Sequence, residues 1–249
     1  MLGSLAFFFY GLTIYQRLCL QQCQGLERRG RLHRISSVGY HDTERINLHT
    51  YTFSTVMTIH IVRHGQTEEN KLHILQGHMP GTLTTLGREQ VALAADRIAA
   101  KGIAYKAIVT SDLRRALDSA EIIAARLQMP IVAMRELRER DWGRYTGMTV
   151  HEAASKYKKR RHWKFPTDDA ETDEGILGRA HSVLLMLGEM YGPDDDIIVV
   201  THGHFARNII ASHLHCSYHE VTPMVNAEIR ELHILRPTMT GHTLMADSP

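Results

Sequence analysis

From Thr58 onward the chain alternates short β-branched apolar runs with longer amphipathic stretches, and this alternation restricts the fold more than any other property of the sequence. The runs at residues 58–63, 107–111, 131–134, 197–201 and 228–235 are mostly continuous in apolarity, as strands covered on both faces require. Between them, residues 86–101 place Val91, Ala94, Ala95, Ile98 and Ala99 on one helical side. Residues 113–127 do the same with Leu113, Leu117, Ala120, Ile123, Ala124 and Leu127. Two further helices are predicted at residues 175–191, stopped by Gly192-Pro193, and at residues 204–214. The pattern predicts an α/β domain, a three-layer sandwich with a mostly parallel sheet flanked by helices.

In such sheets ligands gather beyond the carboxyl ends of the strands, where loops lead into helices. Two of those ends read Arg63-His64-Gly65 and Thr201-His202-Gly203. A single histidine after a strand is most often structural, whereas two in the same local setting point to a shared site. Glycine after each histidine is expected to let the backbone turn and bring its N–H groups to a bound anion. Arg63 adds a permanently charged fork of donors.

Composition divides the 249 residues unevenly. Residues 1–56 hold six of the 29 Lys and Arg and three of the 27 Asp and Glu, so this leader carries +3 and the remaining 193 residues are near −1. A near-neutral main domain gives no electrostatic footprint for nucleic acid, and none is expected as a partner. With 43% hydrophobic and 22% charged residues, wholesale disorder, collagen-like repetition and a polytopic membrane protein are excluded. Two of the three cysteines, Cys19 and Cys23, lie in the leader, leaving Cys216 without a partner inside the main domain, which suits a reducing cytoplasmic setting or indifference to compartment. The apolar run at residues 2–15 is short for a membrane span, and its basic residues follow rather than precede it, unlike a secretory signal. Residues 21–55 show no sustained periodicity and read as loop. The expectation is a poorly organised leader over residues 1–56, either a non-native extension or a weak membrane anchor, followed by one domain over residues 57–249. The anchor is the only membrane contact expected.

The segment Val62-Arg63-His64-Gly65-Gln66-Thr67, with Asn70 following, resembles the signature of the histidine phosphatase superfamily, the phosphoglycerate mutase-like group. Four further segments agree in order: Leu83-Thr84-Thr85-Leu86-Gly87, Ser111-Asp112-Leu113-Arg114-Arg115-Ala116, Leu137-Arg138-Glu139 with Gly143 and Gly147, and Thr201-His202-Gly203. The resemblance implies a phosphoglycerate mutase-like fold and an enzyme. His64 would be the nucleophile, attacking as neutral imidazole to form a phosphohistidine. Arg63, Arg115 and His202 would surround the transferring group, and Glu139 would protonate the leaving oxygen and then activate water. Gly65, Asn70, Gln76, Gly77, Gly203 and His204 are the expected substrate-binding positions. The motif selects Arg115 over Arg114, a solvated charge, and Glu139 over Glu136. His204 departs from the small residue common there, and it contacts substrate or caps the following helix.

No metal and no cofactor are expected. His213, His215, Cys216 and His219 raise a zinc site, but their spacing matches no closed set. The motifs serve both phosphatases and 2,3-bisphosphoglycerate-dependent mutases. Only 63 positions separate Glu139 from His202, shorter than the covering insertion of the mutases, which favours water as acceptor. The expected reaction is therefore hydrolysis of a small phosphate ester. The alternatives are the mutase and a non-catalytic phosphate-binding regulatory module. The basic run at residues 156–161 could steer an anionic substrate, or simply end a helix in solvent.

Overall fold

A computed structural model describes the backbone of residues 34–36, 40–42, 45–157, 170–192 and 194–244, and the side chains of residues 57–156, 170–192 and 194–234. The chain packs into two compact units, residues 1–55 with 235–249, and residues 56–234. In the first, β1 (Arg34–Ser36) and β2 (Tyr40–Asp42) each run antiparallel to the early part of β3 (Arg45–Arg63), with Ile35 opposite Tyr51 and His41 opposite Ile46. The reading of residues 21–55 as loop is corrected at these strands. Residues 45–54 do alternate, with Ile46, Leu48, Tyr51 and Phe53 set between polar residues, but the alternation shifts phase at His49-Thr50 and so is not sustained; residues 49–56 are also rich in threonine, aromatic and β-branched side chains that favour extended backbone. The apolar run at residues 2–15, Cys19, Cys23 and residues 158–161 of the basic run lie outside the described residues.

The second unit is built on the sheet that the alternation predicts. The end of β3 pairs in parallel with β6 (Asp195–Thr201), β6 with β4 (Ala107–Ser111), and β4 with β5 (Ile131–Met134). On the other side of β3 lies β7 (Ile229–Leu244). Bonds from the Arg63 N–H to the Glu228 carbonyl and between Thr58 and His233 run that pair in opposite directions. The helices are α1 (Glu68–Lys71), α2 (Thr85–Ala100), α3 (Arg114–Leu127), α4 (Val150–Tyr157), α5 (Asp173–Met190) and α6 (Gly203–Leu214). Neither α1 nor α4 was given as a helix of its own: α1 is a single turn without apolar residues, while α4, with Val150, Ala153, Ala154 and Tyr157 at helical spacing, is the short helix that the basic run ends.

Strand periodicity sorts the core into two layers. Ile59, Ile61, Val109, Ile197 and Val199 face Ile176, Ala180, Val183 and Leu187 of α5 and Phe205, Ala206 and Ile209 of α6. Val62, Ile108, Ile198 and Val200 point the other way, onto Val91, Ala94 and Ile98 of α2 and Ala116, Ala120 and Ile123 of α3. Every residue of β4 is buried, which accounts for the continuous apolar runs. Each fully buried Ile or Val contributes roughly 1.5–3 kcal/mol over exposure, so these two layers hold the strand ends in place.

At the end of β3 the backbone meets the start of α2 without side chains between them. A Cβ on Gly65 would lie 2.3 Å from the Gly87 carbonyl oxygen, and one on Gly87 would lie 2.1 Å from that of Gln66. Thr84 caps α2 by accepting the Gly87 N–H at 2.8 Å, and its own N–H bonds the Gln66 carbonyl. Alanine in a helix normally stabilises relative to glycine by roughly 0.5–1 kcal/mol. Here overpacking reverses the sign, so Gly87→Ala should destabilise by about 1–3 kcal/mol in urea denaturation. Equal or greater stability would contradict this packing.

Candidate active site

The parallel register of β3 and β6 sets Arg63 beside Thr201, so the chain leaves the sheet at two adjacent points with a histidine at each. The His64 N–H donates to the Thr201 carbonyl at 2.9 Å, and the imidazoles of His64 and His202 lie 5.3 Å apart between centroids. Both side chains are buried. The His64 Nδ1 lies 2.7 Å from the Gly65 carbonyl, which can only accept, so Nδ1 carries the hydrogen and Nε2 keeps its lone pair. Burial first, then the charges of Arg115 and Arg63, hold the His64 pKa well below 6.5. The ring is therefore a neutral imidazole with its nucleophilic nitrogen free of that bond.

His202 is pushed the same way, by burial and then by Arg115, His64 and Arg63. Its Nε2 lies 2.8 Å from the Ser111 hydroxyl, while Nδ1 is buried with no hydrogen-bond partner. If Ser111 donates to Nε2, Nδ1 carries a hydrogen and makes a neutral donor. Buried Nε atoms of Arg63 and Arg115 also have no protein partner. Orphan buried donors are rare in folded proteins, and three around one pair of imidazoles suit the oxygens of an anion.

Each arginine is fixed by its remaining nitrogens. Arg63 donates from Nη1 to the Met224 carbonyl and packs on Gly203, where a Cβ would lie 3.0 Å from its Nε. Arg115, 1% exposed, donates to the carbonyls of Met79 and Gly77, the latter at 2.9 Å. Burial pulls its pKa down to about 10, which still leaves it charged near neutrality. Arg114 is 59% exposed and pairs with Asp118, in keeping with a solvated charge.

The glycine reading needs correction. The Gly65 N–H is taken by the Ser119 hydroxyl at 3.1 Å, so Gly65 serves close packing against Gly87 rather than donation to an anion. Gly77, at φ +49°, offers its carbonyl to Arg115. Gln76 is buried and donates to Thr67 at 2.9 Å, supporting the loop from within. The Asn70 oxygen accepts from the Thr67 N–H and from Asn226, which leaves its NH2 as the side a ligand could meet. Asn226 also donates to the His64 carbonyl at 3.1 Å. Asn226 and Ser119 carry no sequence signal of their own; Ser111 opens the second arginine motif and could have been singled out there.

Glu139 is held by the start of α6. Its Oε1 accepts from the N–H groups of Phe205 and Arg140, both at 2.9 Å, and its Oε2 from the N–H of His204 at 3.1 Å. His202, at the N-cap, makes no side-chain cap bond, so Glu139 satisfies donors that a helix start otherwise leaves open. The same helix thus aligns the second histidine and the carboxylate. The His204 side chain does not cap the helix. It lies 2.8 Å from the Tyr218 hydroxyl, packs against Trp142, and is driven to a pKa of about 3 by burial and then by Arg140 and Arg207. Among the described residues no group of three or more His, Cys, Asp or Glu side chains is arranged to hold a metal ion, and no helix is long and apolar enough to cross a membrane.

Four imidazoles, those of His64, His202, His204 and His213, have lowered pKa values in the fold, His213 to about 4 chiefly through burial. When unfolded they would bind protons near the ordinary value of 6.5. Below that pH the unfolded chain holds more protons than the folded one, so stability falls as pH falls toward the folded values. The urea midpoint should drop between about pH 7.5 and about pH 5; a flat or rising midpoint would contradict burial of neutral imidazoles.

A family model described as "Histidine phosphatase superfamily (branch 1)" matches residues 59–244. "Phosphoglycerate mutase-like protein 4" of Arabidopsis thaliana is 31% identical over 158 residues, 60% of this chain and 67% of that protein. A "Glucosyl-3-phosphoglycerate phosphatase" of Mycolicibacterium vanbaalenii is 34% identical, over 57% of this chain and 68% of that protein. A "Metal-independent phosphoserine phosphatase" of Arabidopsis thaliana is 28% identical, over 73% and 78%. Among solved structures, "Mycobacterial hydrolase 1" superposes with a TM-score of 0.65 at 24% identity, over 74% of this chain and 96% of that one, which shows the shared fold. With the family match spanning most of the chain, this protein belongs to the histidine phosphatase superfamily, branch 1, and is an enzyme of that family.

Proposed function

We propose that the enzyme hydrolyses small phosphate monoesters through a phosphohistidine on His64, without a metal ion. The observation that carries this reading is the buried neutral imidazole of His64, its Nδ1 tied to the Gly65 carbonyl, beside three buried donors that lack protein acceptors. Nε2 attacks phosphorus, the P–O bond to the leaving group breaks, and Glu139 supplies the proton that the leaving oxygen takes up. Water then attacks the phosphohistidine, giving a proton back to Glu139 and releasing neutral His64 and inorganic phosphate. Two steps of lower barrier replace one difficult displacement.

Charge on the transferring group is spread over its equatorial oxygens, and fixed cations can stabilise it without reorganising. Arg63 and Arg115 supply that charge here, with His202 as a neutral donor, which is the ground for proposing metal independence. A single such donor is typically worth about 2.7–4 kcal/mol in the transition state. Similarity to proteins named as phosphatases for glucosyl-3-phosphoglycerate and phosphoserine supports a small phosphorylated substrate. A pure binding module would have no use for an activated nucleophile and a carboxylate together. Transfer to a second hydroxyl uses the same residues, and the short span between Glu139 and His202 favours water as the acceptor.

Purified full-length protein should release inorganic phosphate from an aryl phosphate in excess chelator. His64→Ala should lower that rate by at least about 10³-fold, the scale of losing a nucleophile. Activity that vanishes with chelator, or that survives His64→Ala, would contradict the mechanism. Phosphoryl transfer to phosphoglycerate outrunning phosphate release would replace hydrolysis with the mutase reaction.

A further inference from the structure

Arg179 lies on α5, outside every motif of the sequence, yet its guanidinium reaches the loop that carries Glu139. We infer that Arg179 is a positioning residue for Glu139, an inference that rests on Glu139 being the proton donor. From Nη1 it donates to the carbonyls of Glu136 at 2.8 Å and Arg138 at 2.7 Å, and from Nη2 to that of Glu139 at 3.5 Å. Nε and Nη2 also grip the Glu171 carboxylate at 2.8 and 2.7 Å. All five N–H groups of the fork are thereby used.

The contacts hold the backbone on either side of Glu139. On one side, Arg179 holds carbonyls at and before Glu139. On the other, Glu171 holds the two residues after Glu139: its N–H donates to the Asp141 carbonyl at 2.9 Å, and its own carbonyl accepts from Arg140 at 3.0 Å. The guanidinium also stacks 4.0 Å over the ring of Phe205, whose N–H is one of the donors to Glu139 Oε1. One ion pair between α5 and the segment just before it therefore ties the loop to the start of α6, where the carboxylate is held. Lysine offers three donors at a point and cannot reproduce the planar fork.

A general acid displaced by about 1 Å can lose roughly 10²-fold in rate. In the step that forms the phosphohistidine, the loss should appear only where protonation of the leaving group matters. Full-length Arg179→Met, Arg179→Lys and Glu139→Gln proteins, each checked for an unchanged melting temperature, would be assayed on p-nitrophenyl phosphate and on glycerol 2-phosphate. Arg179→Met should lower kcat/KM, which reports the steps up to release of the leaving group and not the later attack of water, by about 10–100-fold for the alkyl ester, with kcat/KM for the aryl phosphate little changed. Arg179→Lys should restore only a small part. Arg179→Met added to Glu139→Gln should cause no further loss on the alkyl ester.

Equal loss on both esters, or a multiplicative effect in the double variant, alongside a leaving-group bias in Glu139→Gln, would overturn the positioning role and leave Glu139 as the acid. Absence of that bias in Glu139→Gln would instead remove Glu139 as proton donor, and the positioning role with it. Should Arg179→Met fail to fold, Glu171→Gln, which keeps shape but drops the charge, carries the same expectations and the same contrary outcomes.

Discussion

The site depends first on the pairing of β3 with β6. Seven matched positions, from Met57 with Asp195 to Arg63 with Thr201, bring both strands to their ends together. Because side chains alternate across a sheet, a slip of one residue would turn every core residue of β3 to the wrong face and carry His64 out of line with His202. The two apolar layers forbid that slip, since Ile59 and Ile61 fit one and Val62 the other. The geometry of the candidate site is in this sense a by-product of packing, and the glycines finish it. Gly65 and Gly87 let backbone meet backbone, and Gly203 makes room for Arg63.

Burial does the rest. Enclosed histidines beside two arginines stay neutral, which destabilises the fold in acid but suits the uncharged nucleophile that the proposed phosphoryl transfer needs. The arginines divide their nitrogens between two tasks: Arg115 holds the loop at Gly77 and Met79 while its Nε has no protein acceptor, and Arg63 does likewise with Met224. Donors held in this way need little reorganisation when charge develops on a substrate. Glu139 replaces a missing helix cap, so the carboxylate proposed as proton donor is also the group that supports the start of α6.

Much of this was legible in the sequence. Four of the five expected strands end where the structure ends them, at Arg63, Ser111, Met134 and Thr201, because their apolar runs stop where the chain leaves the sheet, even in β5, where Val132 and Ala133 are exposed. His64, His202, Arg63 and Arg115 were identifiable from motifs at strand and helix ends, and the structure brings them together. What escaped were tertiary bonds that leave no periodic trace: Ser119 on the Gly65 N–H, Asn226 on the His64 carbonyl, and Arg179 on the acid loop. The strands at residues 34–36, 40–42 and from 45 onward were read as loop for a different reason, since two are only three residues long and the alternation over residues 45–54 breaks phase at His49-Thr50. The His204 side chain, expected to contact substrate or to cap the helix, packs against Tyr218 and Trp142.

The central claim is that His64 reacts at Nε2 because Nδ1 is committed to the Gly65 carbonyl. Its most direct test is the identity of the trapped intermediate, formed by rapid quench in base and read by phosphorus NMR and fragment mass spectrometry. Phosphate on Nε2 of His64 is the expected result. Phosphate on Nδ1, or on any residue other than His64, would contradict it.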